Sequence, residues 1–291
     1  MKLLVLGGSV FLGRHIVQAA LAQGDHVTRL NRGRHNTELF LQAERPIGDR
    51  DGGMSALRHR RFDAVIDCCG NTPNHIERAI EALGGDVPHY TLVSSISVYA
   101  AFALGVPYDE GAALSAGHEG YGTQKARADE ALRSASPGRV ACVRPSLLVG
   151  PFDPTGRFTY WPTRIARGGD VLAPGRPERP VRFIDARDLA AWCLLLTRTR
   201  TTGVFNAVGA GLTMVILLEA CRDVARSNAS FVWLTDDELL AEGIEPWTGL
   251  PLWIPENDAS FGGMLLADNR RALAAGLRVR PPRETVADTL R

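Results

Sequence analysis

The stretch "KLLVLGGSVFLGRHIV", residues 2–17, constrains this chain more than any other. Lys2 to Leu6 is a short apolar run, rich in the residues that fill a strand buried on both faces. Gly7 and Gly8 follow as a tight turn with a bare backbone. From there Leu12, Ile16, Ala19 and Ala20 recur at helical spacing. Strand, glycine turn and helix in this order predict the first unit of a parallel α/β sheet. The unpaired N–H groups and partial positive charge of a helix start suit a pyrophosphate. Gly7, Gly8, Ser9, Val10, Phe11, Leu12 and Gly13 are therefore candidate cofactor-binding residues, with Gly13 letting the helix lie close on its strand. Val10 stands where such turns often carry another glycine. With its side chain turned sideways the phosphates still have room, and a bound dinucleotide is the expectation; the alternative is a plain strand-to-helix turn.

The pattern repeats downstream. His26 to Leu30 reads as a second strand, "AERPIGD" as a short third with Asp49 at its tip, and Ala64 to Cys68 as a fourth. "PNHIERAIEAL" reads as a helix, "HYTLVSSISVY" as a fifth strand, "YGTQKARADEALRSA" as a helix and "RVACVRPSLLVGP" as a sixth strand. Alternating strands and helices predict a doubly wound parallel sheet of the Rossmann type. Residues 1–150 form the expected dinucleotide-binding domain, with 181–209 returning to it. Residues 151–180 and 210–291 are richer in Pro, Gly, Arg and aromatic residues, and are expected to make a small C-terminal substrate lobe at the strand ends, where ligands sit in such sheets.

With 291 residues and a net charge of +1, the chain has no global attraction for nucleic acid or anionic membrane. The longest apolar run, Leu189 to Leu196, is too short to span a bilayer and reads as a buried helix. No signal peptide is apparent, and the five cysteines fit no disulfide or zinc spacing. The expectation is a cytoplasmic monomer or homodimer that binds a small molecule and no metal.

The tip of the second strand carries Asn31, Arg32 and Arg34 where a carboxylate would select a free ribose 2′-hydroxyl. Guanidinium forks suit a 2′-phosphate, so NADP(H) is expected over NAD(H), the alternative being a solvated basic loop. Asp49, with Arg50 beside it, is placed to meet the adenine. Tyr121 and Lys125 lie one helical turn apart on one face, after a serine-rich strand end that supplies Ser95. A phenol is ordinarily too weak an acid for proton exchange at neutral pH, and a nearby ammonium would lower its pKa. Ser95 would orient a substrate carbonyl, Tyr121 would pass the proton, and Lys125 would acidify the phenol and bind the nicotinamide ribose.

"GGSVFLG", "SSISVY", "YGTQK", "VRPSLLVGP" and "RFIDARDLA", in this order, resemble the extended and atypical branches of the short-chain dehydrogenase/reductase superfamily, including its NAD-dependent epimerase/dehydratase-like members. The resemblance runs from Met1 to about Gly209. It implies a Rossmann fold, a nicotinamide cofactor, Ser95, Tyr121 and Lys125 as the catalytic set, and Cys68, Cys69 and Pro145 at strand ends beside the cofactor. Relatives acting on nucleotide sugars commonly carry asparagine where this chain has Leu147. That departure, together with candidate substrate-lining rings Phe158, Trp161 and Trp247, leads to the expectation of NADPH-dependent reduction of an apolar, aromatic or polyketide-type ketone, as in tailoring ketoreductases of antibiotic pathways. The alternatives are a nucleotide-sugar epimerase or dehydratase, and a nucleotide-sensing or RNA-binding protein on the same fold.

Overall fold

In the computed structural model, which describes residues 1–291, the first expected unit forms as β1 (Lys2–Leu6) and α1 (Phe11–Ala22). There follow β2 (His26–Leu30), β3 (Ala64–Asp67), α2 (Pro73–Leu83), β4 (Tyr90–Val93), α3 (Tyr121–Ala135) and β5 (Val140–Pro145). Next come β6 (Leu147–Val149), α4 (Tyr160–Ala166), β7 (Asp170–Pro174), β8 (Pro180–Val181), β9 (Phe183–Asp185), α5 (Ala186–Thr199) and β10 (Gly203–Ala207). The chain ends with β11 (Leu212–Thr213), α6 (Met214–Ala225), β12 (Ser230–Leu234), α7 (Asp236–Ala241), α8 (Arg270–Ala274) and α9 (Pro282–Thr289).

Six strands make one parallel sheet in the order β10-β5-β4-β3-β1-β2. Period-two alternation along β1 divides its side chains between the two faces. Leu3 and Val5 pack with Leu12, Ile16 and Val17 of α1 and Leu189 and Cys193 of α5. Leu4 and Leu6 pack on the opposite face with Ile76 and Ala79 of α2 and Ala128 and Leu132 of α3. Helices thus cover both faces, as the alternation predicts. The local signals for α2 agree with its observed span: Thr72 caps the first turn by accepting from the His75 N–H, and Pro73 occupies a position where its missing donor costs nothing.

A third cluster, around Phe158, Trp161, Val171, Met214, Leu217 and Trp253, gathers residues from 147 onward. The small pairings β7–β12, β6–β9 and β8–β11 lie outside the main sheet.

Two strand expectations need correction. "AERPIGD" forms only single bridges, Glu44 to Thr28 of β2 and Ile47 to Asn31 just beyond it. Glu44 exchanges hydrogen bonds with Val27 and Arg29, but Pro46 has no N–H with which to continue the ladder. The run "RVACVRPSLLVGP" is two strands: β5 stays in the main sheet, and β6 leaves after Ser146 to pair with β9.

Candidate active site

The sheet reverses direction of growth between β1 and β3, and the crevice outside the strand ends at such a point is where ligands bind in open α/β sheets. A cavity of about 750 Å³ opens there. Gly7 after β1, Asn31 after β2, Cys68 and Cys69 after β3, Ser94 and Ser95 after β4, and Pro145 and Ser146 in and after β5 all line it.

The turn between β1 and α1 forms one wall through Gly7, Ser9, Val10, Phe11, Leu12 and Gly13; Gly8 lies behind it, packed on Val17 and Arg29. Gly7 has a φ of +87°, and a Cβ on Gly13 would stand 2.1 Å from the Gly7 oxygen, so neither position admits a side chain without backbone movement. Val10 is extended, 38 % exposed, and stands at the rim without sealing the cleft. No side chain caps α1 and no acidic residue enters its first turn, which leaves its N–H groups to an incoming anion. Asn31, Ser94 and Ser146 also line this cavity, and the Asn31 Nδ2 and the two Oγ atoms are buried beside it without a hydrogen-bond partner. Unpaired donors around a glycine cradle at a helix start fit a dinucleotide.

Arg32 and Arg34 line the cavity and are exposed, with no carboxylate paired to either. Asp49 lines it as well, its Oδ1 accepting from the Asp51 N–H. Arg50 behaves differently. Its guanidinium donates to Asp67 Oδ2 at 2.8 Å and to the His75 carbonyl at 2.8 Å, and Tyr90 donates to the same carboxylate at 2.7 Å. Burial opposes the charge on Asp67, yet the Arg50 guanidinium holds its carboxyl below the usual range. Arg50 is thus committed to bracing the strand ends. Burial also pushes the Cys68 thiol well up and that of Cys69 up to about 12, so both stay protonated walls.

Ser95, Tyr121 and Lys125 face the same cavity, as their spacing predicts. Ser95 Oγ accepts from the Ser97 N–H at 3.0 Å, and its nearness to the Tyr121 hydroxyl acts to lower the phenol pKa. Tyr121, in the first turn of α3, is 60 % exposed and open to a substrate. The Lys125 ammonium is occupied by backbone carbonyls. It is buried and donates to the Val93 carbonyl at 2.8 Å and the Gly70 carbonyl at 3.3 Å, at the ends of β4 and β3. Burial pulls its pKa below the usual amine value, against the pull of Asp67. Around Tyr121, desolvation dominates and raises the phenol pKa; the nearby Ser95 hydroxyl and the charge of Arg157 act the other way. The cation that favours the phenolate is therefore Arg157, on the loop after β6.

Of the rings expected to meet substrate, Trp247 lines the cavity, but Phe158 and Trp161 do not. Both are fully buried in the third cluster, and Trp161 Nε1 donates to the Pro251 carbonyl at 2.9 Å. Their apolar bulk is spent on packing α4 against the rest of that cluster. The substrate end is instead lined by Leu147, Leu148, Asp153, Thr155, Arg157, Trp247, Met264 and Leu265. Sequence reasoning missed Asp153, Thr155 and Arg157, although "DPTGR" is a polar turn directly after the sixth-strand motif.

No helix is long and apolar enough to cross a membrane. The chain covers nearly the full length of several solved structures. It superposes on a putative epimerase from Burkholderia cenocepacia with a TM-score of 0.76 at 19 % identity, covering 99 % of this chain and 96 % of that one. For the UDP-glucuronic acid 4-epimerase of Bacillus cereus in complex with NAD, the TM-score is 0.72 at 15 % identity, covering 99 % and 97 %. For the UDP-glucose 4-epimerase of Thermotoga maritima with UDP-glucose, it is 0.71 at 17 % identity, covering 100 % and 97 %. At these identities the likeness establishes the fold. No curated protein matches the sequence. The NAD dependent epimerase/dehydratase family matches over residues 3–208, which takes in the glycine turn, Ser95, Tyr121 and Lys125. The chain belongs to this family of nicotinamide-dependent enzymes.

Proposed function

We propose that this chain catalyses oxidation–reduction at a carbon bearing a hydroxyl or ketone oxygen, and that its substrate is a nucleotide sugar that passes through a transient ketone to an epimer or dehydrated product. The observation that carries the reaction class is the convergence of Ser95, Tyr121 and Lys125 on one cavity with the glycine turn. The family match and the nucleotide-sugar epimerases among its structural neighbours support the substrate class. They lend nothing specific to a ketoreductase of antibiotic pathways.

When bound, the nicotinamide ring takes or gives the hydride. The protein's part is proton transfer and orientation. Ser95 hydrogen-bonds the substrate oxygen, and Tyr121 exchanges a proton with it. Lys125 ties α3 to the ends of β3 and β4 through two carbonyls, fixing where Tyr121 stands. Asn31, Arg32 and Arg34 at the ribose position support NADP(H), whereas the NAD complexes among the neighbours keep NAD(H) in play.

A second reading, net reduction of an apolar ketone, draws on a specific feature. Leu147 stands where nucleotide-sugar relatives commonly carry asparagine, and Trp247, Met264 and Leu265 add apolar wall. A phenol held protonated by desolvation also suits a proton donor.

One experiment separates the readings. Purified protein is incubated with NAD⁺ and UDP-glucose or UDP-glucuronic acid, following sugar products by NMR, and in parallel with NADPH and aromatic ketones, following loss of reduced cofactor. Sugar conversion without net cofactor change supports the first reading, and stoichiometric NADPH oxidation supports the second. Tyr121→Phe should lower either rate by roughly 10²- to 10⁴-fold. Conversion of neither class by a protein that binds cofactor would overturn the proposal.

A further inference from the structure

The substrate end of the cleft holds one cation that the packing has prepared and left unpaired. Arg157 lines the cavity, half-buried, with its guanidinium carbon 5.8 Å from the centre of the Trp247 ring. Its Nε donates to Thr155 Oγ1 at 3.2 Å, and Thr155 Oγ1 in turn donates to Asp153 Oδ1 at 2.7 Å. This relay fixes the plane of the guanidinium through its inner nitrogen. The two outer nitrogens, which form the fork that binds carboxylate or phosphate, have no partner, and no carboxylate lies within ion-pairing distance. Arg32 and Arg34, at the other end of the cavity, are likewise unpaired, whereas the structural arginines Arg50 and Arg144 are each paired to a buried aspartate.

The ring beneath Arg157 is itself held under strain. Trp247 has a φ of +65°, in the left-handed region that a bulky residue rarely occupies. Its N–H donates to the carbonyl of Trp253 at 2.8 Å, and Trp253 is fully buried with its own Nε1 bonded to Asp236. The core thus enforces an unfavourable backbone in order to present the indole to the cleft. Strain of this kind gathers at ligand sites.

We propose that Arg157, oriented by Thr155 and backed by Trp247, binds an anionic oxygen of the substrate, a phosphate or carboxylate, beside the hydroxyl of Tyr121. This deepens the functional proposal and rests on its placement of substrate at the Tyr121 end. It adds that the substrate carries a negative charge near the reacting carbon. The influence of Arg157 on Tyr121 supports the proximity of the two groups. A guanidinium with both outer nitrogens free binds such a group in a fixed plane, which an ammonium would not do.

The test is binding by calorimetry to protein saturated with NADP⁺, using two matched pairs: UDP against uridine for phosphate, and benzoate against benzamide for carboxylate. At least one anion should bind ten-fold or more above its neutral match, on the order of one charge-assisted hydrogen bond. Arg157→Gln should abolish that preference, leaving the neutral ligands and NADP⁺ within about two-fold of the parent. The unchanged NADP⁺ affinity shows that the variant is folded, and Arg157→Lys, which keeps the charge without the fork, should retain only part of the preference. The pair that responds identifies the source of the charge. The proposal is overturned if neither anion exceeds its neutral match, if the preference survives in Arg157→Gln, or if NADP⁺ binding falls in parallel. Turnover is not read, so the two claims fail separately. A protein that converts no sugar or ketone but shows the Arg157-dependent preference retains the anion site and loses the proposed activity. Conversion without the preference does the reverse.

Discussion

Replacing Gly13 by alanine should destabilise this protein, against the ordinary rule for helices. Gly13 lies in the first turn of α1 and is buried. In an open helix, glycine to alanine gains about 1 kcal/mol by restricting the unfolded chain. Here the added methyl would stand 2.1 Å from the Gly7 oxygen and 2.9 Å from the Gly7 carbonyl carbon and Gly8 Cα, where ordinary contact begins at 3.4 Å. All three obstacles are backbone, so no side-chain rotation relieves them, and α1 must retreat from the turn by roughly 1 Å. Overpacking of a tight core costs about 1–3 kcal/mol, and the rigid obstacles place this case at or beyond the upper end. Net of the helix gain, the loss is about 2 kcal/mol, a fall of roughly 4–8 °C in Tm for a chain of this size.

The same displacement moves the N–H groups of α1 away from the phosphate position. Losing one charge-assisted hydrogen bond there should raise the Kd for NADPH by roughly 10- to 100-fold. Thermal melts and a fluorescence titration with NADPH read the two effects on one preparation. A Gly13→Ala protein that melts at or above the parent temperature and binds NADPH with unchanged Kd would refute the close-approach reasoning and the cofactor cradle together.

Three further outcomes follow from the site and its surroundings. Lys125→Met strands the Val93 and Gly70 carbonyls and should cost about 1–3 kcal/mol in urea unfolding, while the alkaline limb of the pH–rate profile stays in place; movement of that limb by a full pH unit would restore direct coupling to Tyr121. Arg32→Gln with Arg34→Gln should weaken NADP⁺ by roughly ten-fold and leave NAD⁺ nearly unchanged, and equal effects would remove both residues from a 2′-phosphate site. Burial, with a smaller push from Arg200, lowers the pKa of His89 from the usual 6.5 to about 4. A depressed folded pKa gives stability that is complete above the unfolded value and is lost as pH falls from 6.5 toward 4, here about 3 kcal/mol; urea unfolding at pH 7 and pH 4.5 should show His89→Asn losing less than the parent, and equal losses would count against the buried neutral ring.

Much of the frame was legible because it rests on local pattern. β1 and α1 declare themselves through an apolar run, a glycine turn and a change of period, and α2 lies where "PNHIERAIEAL" reads as a helix. Tyr121 and Lys125 share a helix face by spacing alone. The failures lie where a distant partner decides. "AERPIGD" has strand-like apolar positions, but its place at the open edge of β2 and the missing N–H of Pro46 limit it to two bridges. Phe158, Trp161 and Trp247 look alike in sequence. Only the packing around Pro251 and Trp253 assigns two to the core and one to the cleft. The direction of the Lys125 ammonium was equally hidden. It depends on where the ends of β3 and β4 place their carbonyls.

That direction divides two duties usually imagined on one side chain. Lys125 is spent on holding α3 to the sheet, and the charge that acts on the Tyr121 phenol comes from Arg157, outside the main sheet. A residue that binds substrate then also sets proton affinity at the reacting oxygen. Arg157 offsets part of the desolvation that raises the phenol pKa. An anionic substituent seated on Arg157 would neutralise that charge and strengthen the hold of Tyr121 on its proton. The loaded site would then make the phenol a weaker acid and slow donation to the substrate oxygen, whereas a neutral substrate would leave Arg157 free to ease proton exchange. On the anion-site proposal, the ease with which Tyr121 exchanges its proton would therefore depend on the charge the substrate carries.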